Sequence, residues 1–325
     1  AFRGQICPER KVRMALLAEY DALRGLGHAC GHCASGSGSV LAALAFQAFR
    51  DEYSFGVDII GTPDEEYIGT KIGMAEKGIF DGYDFVAMVH MGPQTTAEVQ
   101  FIALDGIGAR WHGKPAHAAG EPWSGRNALN AARLFFDATD AMRQHIIPEA
   151  RIHGIIKNGG EASNIVPELS EVEFLTRAPK RTDLDDITEW VKDCARAAAL
   201  ATRTEVEIFS LCEPFHDLYI SPLEKAAVEE GFRELGLDYA ESIGMTGSSD
   251  IGNVDYHCPA FHPIMSIGKP YTCHTKEFAE AMLSEETHQA IVNVASLLVT
   301  LTANLYGKPE VLRAIRDDHK AYRGY

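Results

Sequence analysis

His28, Cys30, His32 and Cys33 fall within the stretch HACGHC, shortly before a Gly- and Ser-rich run. Three chemistries use such a cluster: a structural zinc clip, a thiol nucleophile with its imidazole base, or part of a catalytic metal site. A structural clip closes a tetrahedral set from short-spaced pairs, and no second CxxC lies elsewhere in the chain. A thiol enzyme would activate Cys30 with His28 or His32. That reading leaves four other candidates without a role: the pair Glu65–Glu66 in GTPDEE, His90 in AMVH and His274 in CHTKEF. Thiolate, imidazole and carboxylate are all ligand types that zinc accepts. One sulfur can also be shared by two metals that activate water. Adjacent carboxylates on a turn can then point to different places. One serves the metal, and the other serves as the base that the attacking water needs. Taken alone, the acidic pair also reads as a solvated turn.

These residues sit where strands give way to loops. Apolar patterning predicts strands over 12–21, 56–66 and 83–90, alternating with helices over 38–53 and 71–80. Such alternation implies a parallel α/β sheet, whose sites lie at the C-terminal strand ends. Near residue 106 the texture changes to a β-α-β-β-α-β order. A Gly-punctuated strand is followed by a helix over 125–146, strands over 150–158 and 169–179, a helix over 183–202 and a strand over 204–211. That order is the ferredoxin-like unit. Helices over 222–236 and 276–306, with a strand over 261–267, then return to larger elements. The expected architecture is a discontinuous α/β domain, 1–105 and 212–325, with a ferredoxin-like α+β domain inserted at 106–211.

The bulk numbers agree with a globular enzyme. The 325 residues are 46% hydrophobic and 23% charged, which supports a sizeable core. Thirty basic against 46 acidic residues leave a net charge of −16, which disfavours nucleic acid and anionic membranes as partners. The seven cysteines are odd in number and mostly scattered, as in a reducing compartment, so a cytoplasmic location is expected. No apolar run approaches the ~18 residues of a membrane span, and the start lacks the apolar core of a signal peptide.

At the stretches AEYDALRGLGHACGH, GTPDEE, AMVHMGP, GKPAHAA, SNIVPELSEVEFLTRAP, GSSDIGNV and HTKEFAEA, the sequence resembles the aminoacylase/carboxypeptidase G superfamily of metallo-amidohydrolases. The branch resembled contains aminobenzoyl-glutamate hydrolase, the hippurate and auxin-conjugate hydrolases and the Xaa-Arg (β-alanyl-lysine) dipeptidase. The segments ARAAALATRTEVEI and KPEVLRAIRDD lean toward the dipeptidase. The resemblance implies a metallopeptidase-like α/β catalytic domain with an inserted lid and dimerisation domain, and hence a homodimer. It implies two divalent ions, zinc or manganese first, with cobalt or nickel as other candidates. Cys30 would bridge them, with His32, Glu66, His90 and His274 as further ligands and Glu65 as general base. His117 would polarise the scissile carbonyl of a neighbouring subunit's substrate, Asn164 would face the substrate, and Arg177 would pair with its carboxylate or serve a structural ion pair. Substrates would be dipeptides or N-acyl amino acids, with aminobenzoyl-glutamate as an alternative. A relative that binds metal without catalysing is the competing expectation.

Four positions need separate expectations. Related enzymes carry an orienting Asp at the place of Asp21, and Glu19 stands where they place the oriented ligand. His262 is expected near the site, and Gly247 and Ser248 along the pocket. Cys33 stands where the family usually has Asp or Asn, so it either loosens the ligand loop or adds a thiol to the site. Family members also carry several dozen residues before the strand at 12–21, so a sheet edge and part of the pocket wall are expected to be missing.

Overall fold

The structure, a computed structural model, describes residues 1–242 and 244–324. It divides into two compact units, Ala1–Phe101 with Leu218–Tyr325, and Ile102–Asp217. The first half of the first unit holds β1 (Phe2–Ile6), β2 (Arg13–Glu19), α1 (His32–Ala48), β3 (Gly56–Thr62), α2 (Thr70–Glu76), β4 (Val86–Ala87), β5 (His90–Gly92) and β6 (Gln100–Phe101). The second unit holds β7 (Ala103–His112), α3 (Ala128–Met142), β8 (Arg151–Asn158), β9 (Leu169–Ala178), α4 (Arg181–Thr202) and β10 (Glu205–Ser210). The chain then returns with α5 (Pro222–Glu234), β11 (Met245–Gly247), α6 (Ile251–Asp255), β12 (Ala260–Phe261), β13 (Ile264–Ser266), α7 (Lys276–Ala281), α8 (Glu285–Gly307) and α9 (Pro309–Arg323).

The main sheet has the order β1-β3-β2-β4-β12, parallel except for β1, which pairs antiparallel with β3. Its central strand β2 is buried on both faces, which is why it reads as a continuous apolar run. Met14 and Leu16 point into a cluster with Val294 and Leu298 of α8, whereas Ala15 and Leu17 point into one with Phe80, Ile251 and Val254. Short parallel pairs, β13 with β5 and β11 with β6, continue the strand ends.

Helix α1 starts at His32 rather than at 38, so the Gly- and Ser-rich run is helical. The reason is close packing. A Cβ on Gly36 would run into the carbonyl oxygen of Glu19, so the run lets the helix lie directly on the end of β2. The single helix expected over 276–306 is two, because Ser284 accepts from the Thr287 N–H at 3.2 Å and caps α8. The strand expected over 261–267 is interrupted at Pro263, between β12 and β13. Helix α8 has the length and composition of a membrane span, contrary to the expectation from apolar runs; Val294, Leu297, Leu298, Leu301 and Leu305 are buried in the core.

The second unit is an antiparallel sheet of order β10-β7-β9-β8 covered by α3 and α4, the ferredoxin-like arrangement. Trp111, Phe135 and Phe174 form its core. Strand β8 is an edge and exposes Ile155 and Ile156.

Candidate metal centre

The turn Cys30–Gly31–His32 sets the centre of the site. Gly31 caps α1 at φ 82°, and a Cβ there would strike Met91, so only glycine makes this turn. Cys30 therefore precedes the helix, and His32 becomes its first residue, fully buried. Cys30 Sγ lies 3.5 Å from Nε2 of His90, at the start of β5, and the other ring nitrogen of His90 donates to the Met91 carbonyl at 2.7 Å. Glu65 and Glu66 follow β3 after a turn in which Asp64 adopts a left-handed φ of 63°. His274 also has a left-handed φ, 65°, and its backbone N–H donates to the Ala29 carbonyl at 2.8 Å. Its Nε2 lies 3.4 Å from Glu66 Oε1.

Donor atoms that could hold a metal ion form groups within 4.8 Å: Cys30 with His32 and His90, Cys30 with Glu66 and His274, and His32 with Glu65 and Glu66. Cys30 is the donor common to the first two. All six residues thus meet at one place, although they span positions 30 to 274 in the sequence. Buried atoms without a hydrogen-bond partner point to what the site takes. Glu19 Oε2, His32 Nε2 and Glu66 Oε1 make no hydrogen bond, although Glu19 Oε2 faces His32 Nε2 at 3.4 Å and Glu66 Oε1 faces His274 Nε2 at 3.4 Å. Buried polar atoms are costly when unpaired, and a divalent cation is the partner that thiolate, imidazole and carboxylate share.

A fourth group, Glu19 with Glu65 and Asp250, already has its cation. The Lys71 ammonium is fully buried and donates to Glu19 Oε1 and to Asp250 Oδ1, each at 2.5 Å. Asp250 Oδ2 also accepts from the Lys71 backbone N–H at 3.0 Å. Burial opposes the charge on Glu19, but Lys71, His32 and His90 outweigh it and hold the carboxyl far below the usual range. Glu65 behaves oppositely. Burial, then the charges of Asp250 and Glu19, push its carboxyl up to about 8, into the range of a group that exchanges protons near neutrality. Burial also works against a charged His32, yet Glu19 and Asp21 raise its ring to about 9. A cation that takes Nε2 would displace that proton.

Asp21 orients a histidine, as expected. Its Oδ1 is 3.0 Å from His32 Nδ1, and its Oδ2 accepts from the Glu66 backbone N–H at 3.1 Å. His262 stacks on His90, with ring centroids 5.7 Å apart; burial, then the charge of His90, push its ring down to about 3. A cavity of about 470 Å³ opens onto the group, with Val99, Phe101 and Ile264 on its apolar side and Ser248 and Thr272 on its polar side. Cys33 does not join the site. It lines an apolar groove with Phe2, Val40 and Leu41, and its thiol is pushed up by burial. Sequence reasoning missed Lys71, Asp250 and Cys273, the last of which lines the cavity beside Cys30.

The remaining expected residues lie in the second unit. His117 is exposed, and its Nδ1 accepts from the backbone N–H groups of Ala119 and Gly120 at 3.2 and 2.9 Å. The ring proton therefore sits on Nε2, which is left to donate. Asn164 is beside it, because the Ala118 N–H donates to the Asn164 carbonyl at 3.0 Å. Arg177 is not with them. It lies near the far end of β9, opposite Leu104 and Arg151, with its guanidinium held down by burial.

Comparison with known proteins fits this geometry. A model of peptidase family M20/M25/M40 matches residues 15–300. The human Xaa-Arg dipeptidase is 37% identical over 328 residues, covering 98% of this chain and 75% of the relative. One of the subunits of the Escherichia coli p-aminobenzoyl-glutamate hydrolase is 27% identical, covering 94% of this chain and 80% of its own. Among solved structures, a dinuclear metal-binding M20 peptidase from Bacillus subtilis superposes with a TM-score of 0.64 at 17% identity, over 91% of this chain and 85% of that one.

Proposed function

This chain belongs to peptidase family M20/M25/M40, and on that premise we propose that it is a metal-dependent amidohydrolase of the dipeptidase type. It hydrolyses an amide bond beside a free carboxylate in dipeptides or N-acyl amino acids. The observation that carries this reading is the Cys30 thiol shared by two groups of metal-binding donors, with Glu65 beside them and outside both. Cys30, His32, His90, Glu66 and His274 would hold two divalent ions, as the Bacillus subtilis relative holds a dinuclear centre. Thiolate and imidazole suit zinc, with manganese, cobalt and nickel the other ions to test.

When bound, the ions supply Lewis acidity toward the carbonyl and a nucleophilic water at neutral pH. The rest falls to the chain. Asp21 holds His32 in the tautomer that keeps Nε2 free. Glu65 takes the proton of the attacking water and passes it to the leaving amine. His117 of one subunit offers its Nε2–H to the carbonyl oxygen of a substrate held by the neighbouring subunit, as negative charge develops there. Asn164 is its neighbour on the same pair of loops, whereas Arg177, near the other end of β9, suits a structural role better than the substrate carboxylate. The chain works as a homodimer formed through the inserted unit, in which β8, paired with β9 on one side, is an edge strand whose other side is open to a partner. All seven cysteines are free, which supports a reducing, cytoplasmic setting.

The test is a screen of dipeptides, N-acyl amino acids and aminobenzoyl-glutamate with the chain stripped by chelator and reloaded with Zn, Mn, Co or Ni. Activity lost on stripping and restored by one of these ions is expected. Turnover that survives chelation and dies with iodoacetamide would replace this reading with a thiol enzyme. No turnover of any substrate at full metal occupancy would leave a non-catalytic relative. Preference for aminobenzoyl-glutamate would move the chain toward its Escherichia coli relative.

A further inference from the structure

The cavity carries a second thiol that the proposed ligand set does not use. Cys273 precedes His274 and lines the same cavity as Cys30. The backbone holds the two segments side by side, because the His274 N–H donates to the carbonyl of Ala29. Both sulfurs also border the start of β5. Cys30 Sγ is 3.5 Å from His90 Nε2, and the Cys273 thiol donates to the Met91 carbonyl at 3.8 Å. Cys33, the other half of the CxxC spelling, faces the apolar groove instead. The sulfur poised to meet Cys30 is therefore the one distant in sequence.

We propose that Cys30 and Cys273 form a disulfide when a peroxide enters the cavity of the metal-free chain, which removes the shared thiolate from the donor set. The Cys273 sulfur attacks the peroxide O–O bond and becomes a sulfenic acid, while the thiol proton leaves with the displaced oxygen as water. Cys30 sulfur then attacks the sulfenic sulfur, the S–S bond forms, and the displaced hydroxide leaves as water with the Cys30 proton. Two thiols are oxidised and one peroxide is reduced. A bound metal ion protects Cys30, and a thiol reductant reverses the bond. The disulfide rests on the placement of the two sulfurs alone, whereas its effect on metal uptake rests on the function proposed above.

The experiment treats the full chain, zinc-loaded or stripped by chelator, with hydrogen peroxide. Non-reducing peptide mapping by mass spectrometry and zinc uptake are then measured. The stripped chain should yield a peptide linking Cys30 to Cys273 and bind zinc about tenfold or more weakly until reduced. The zinc-loaded chain should yield little of that peptide. Cys273→Ser should abolish the link, and Cys33→Ser should leave it in place. Absence of the linked peptide from stripped wild type, or a Cys30–Cys33 link in its place, overturns the proposal. A Cys30–Cys273 link in a chain that binds no zinc even before oxidation supports the disulfide and overturns the metal reading.

Discussion

The Asp21 carboxylate reaches His32 Nδ1 with one oxygen, at 3.0 Å, and the Glu66 backbone N–H with the other, at 3.1 Å. One side chain thus aligns two of the proposed ligands, which come from different loops. Removing it should loosen both while leaving the core intact. Asp21→Ala is expected to weaken metal binding by about 10–100-fold, with an unchanged far-UV circular dichroism spectrum. Metal titration followed by competition with a chelator measures this. Wild-type affinity in the variant would remove Asp21 from the site's design.

Lys71 ties the floor of the site together. Its ammonium joins Glu19, at the end of β2, to Asp250, just before α6, with all three side chains buried. Lys71→Met strands two carboxylates in a dry environment, so a loss of about 3–5 kcal/mol is expected in urea unfolding. Adding Glu19→Gln and Asp250→Asn to Lys71→Met removes the stranded charges and should recover much of that loss. If the triple variant is no more stable than the single one, charge pairing is not what Lys71 contributes.

The contrast between these residues shows what a sequence carries and what it hides. Cys30, His32, Glu65, Glu66, His90 and His274 are residue types that seldom cluster at strand ends without a reason, so type and place alone single them out. Lys71 reads as an ordinary polar residue of an amphipathic helix. Its two acceptors lie 52 and 179 positions away, and only the folded sheet brings them together. Cys273 is hidden likewise by its distance from Cys30. The start of α1 is obscured because glycine and serine signal loops locally. Contact with the carbonyl of Glu19 overrides that preference at Gly36.

Glu65 and His117 should separate proton transfer from carbonyl polarisation. Glu65→Gln keeps the shape and removes the base, so turnover should fall about 10²–10⁴-fold with metal content unchanged. His117→Ala removes a donor that acts on the developing charge. It should lower kcat about 10²–10³-fold and leave KM nearly unchanged. Steady-state kinetics on the best substrate of the screen, with metal analysis of each variant, checks both. A Glu65→Gln chain that turns over at the wild-type rate would remove Glu65 as the base.

Stability should carry a pH signature from a residue outside the proposed ligand set. Glu224 completes the capping box of α5: its Oε2 accepts from the Ser221 N–H at 2.6 Å, and Ser221 Oγ accepts from the Glu224 N–H at 3.0 Å. Burial, followed by the charge of Asp255, pushes its carboxyl from 4.5 up to about 8. The folded chain therefore holds this proton more tightly than the unfolded chain does. The resulting contribution is complete below about pH 4.5 and is lost as pH rises through about 8, at up to about 1.4 kcal/mol per pH unit. Glu224→Gln keeps the acceptor for Ser221 and cannot ionise. Its melting temperature relative to wild type should rise steadily between pH 5 and 8 and level off above that. Parallel Tm–pH curves for the two proteins would show that Glu224 is already ionised in the fold.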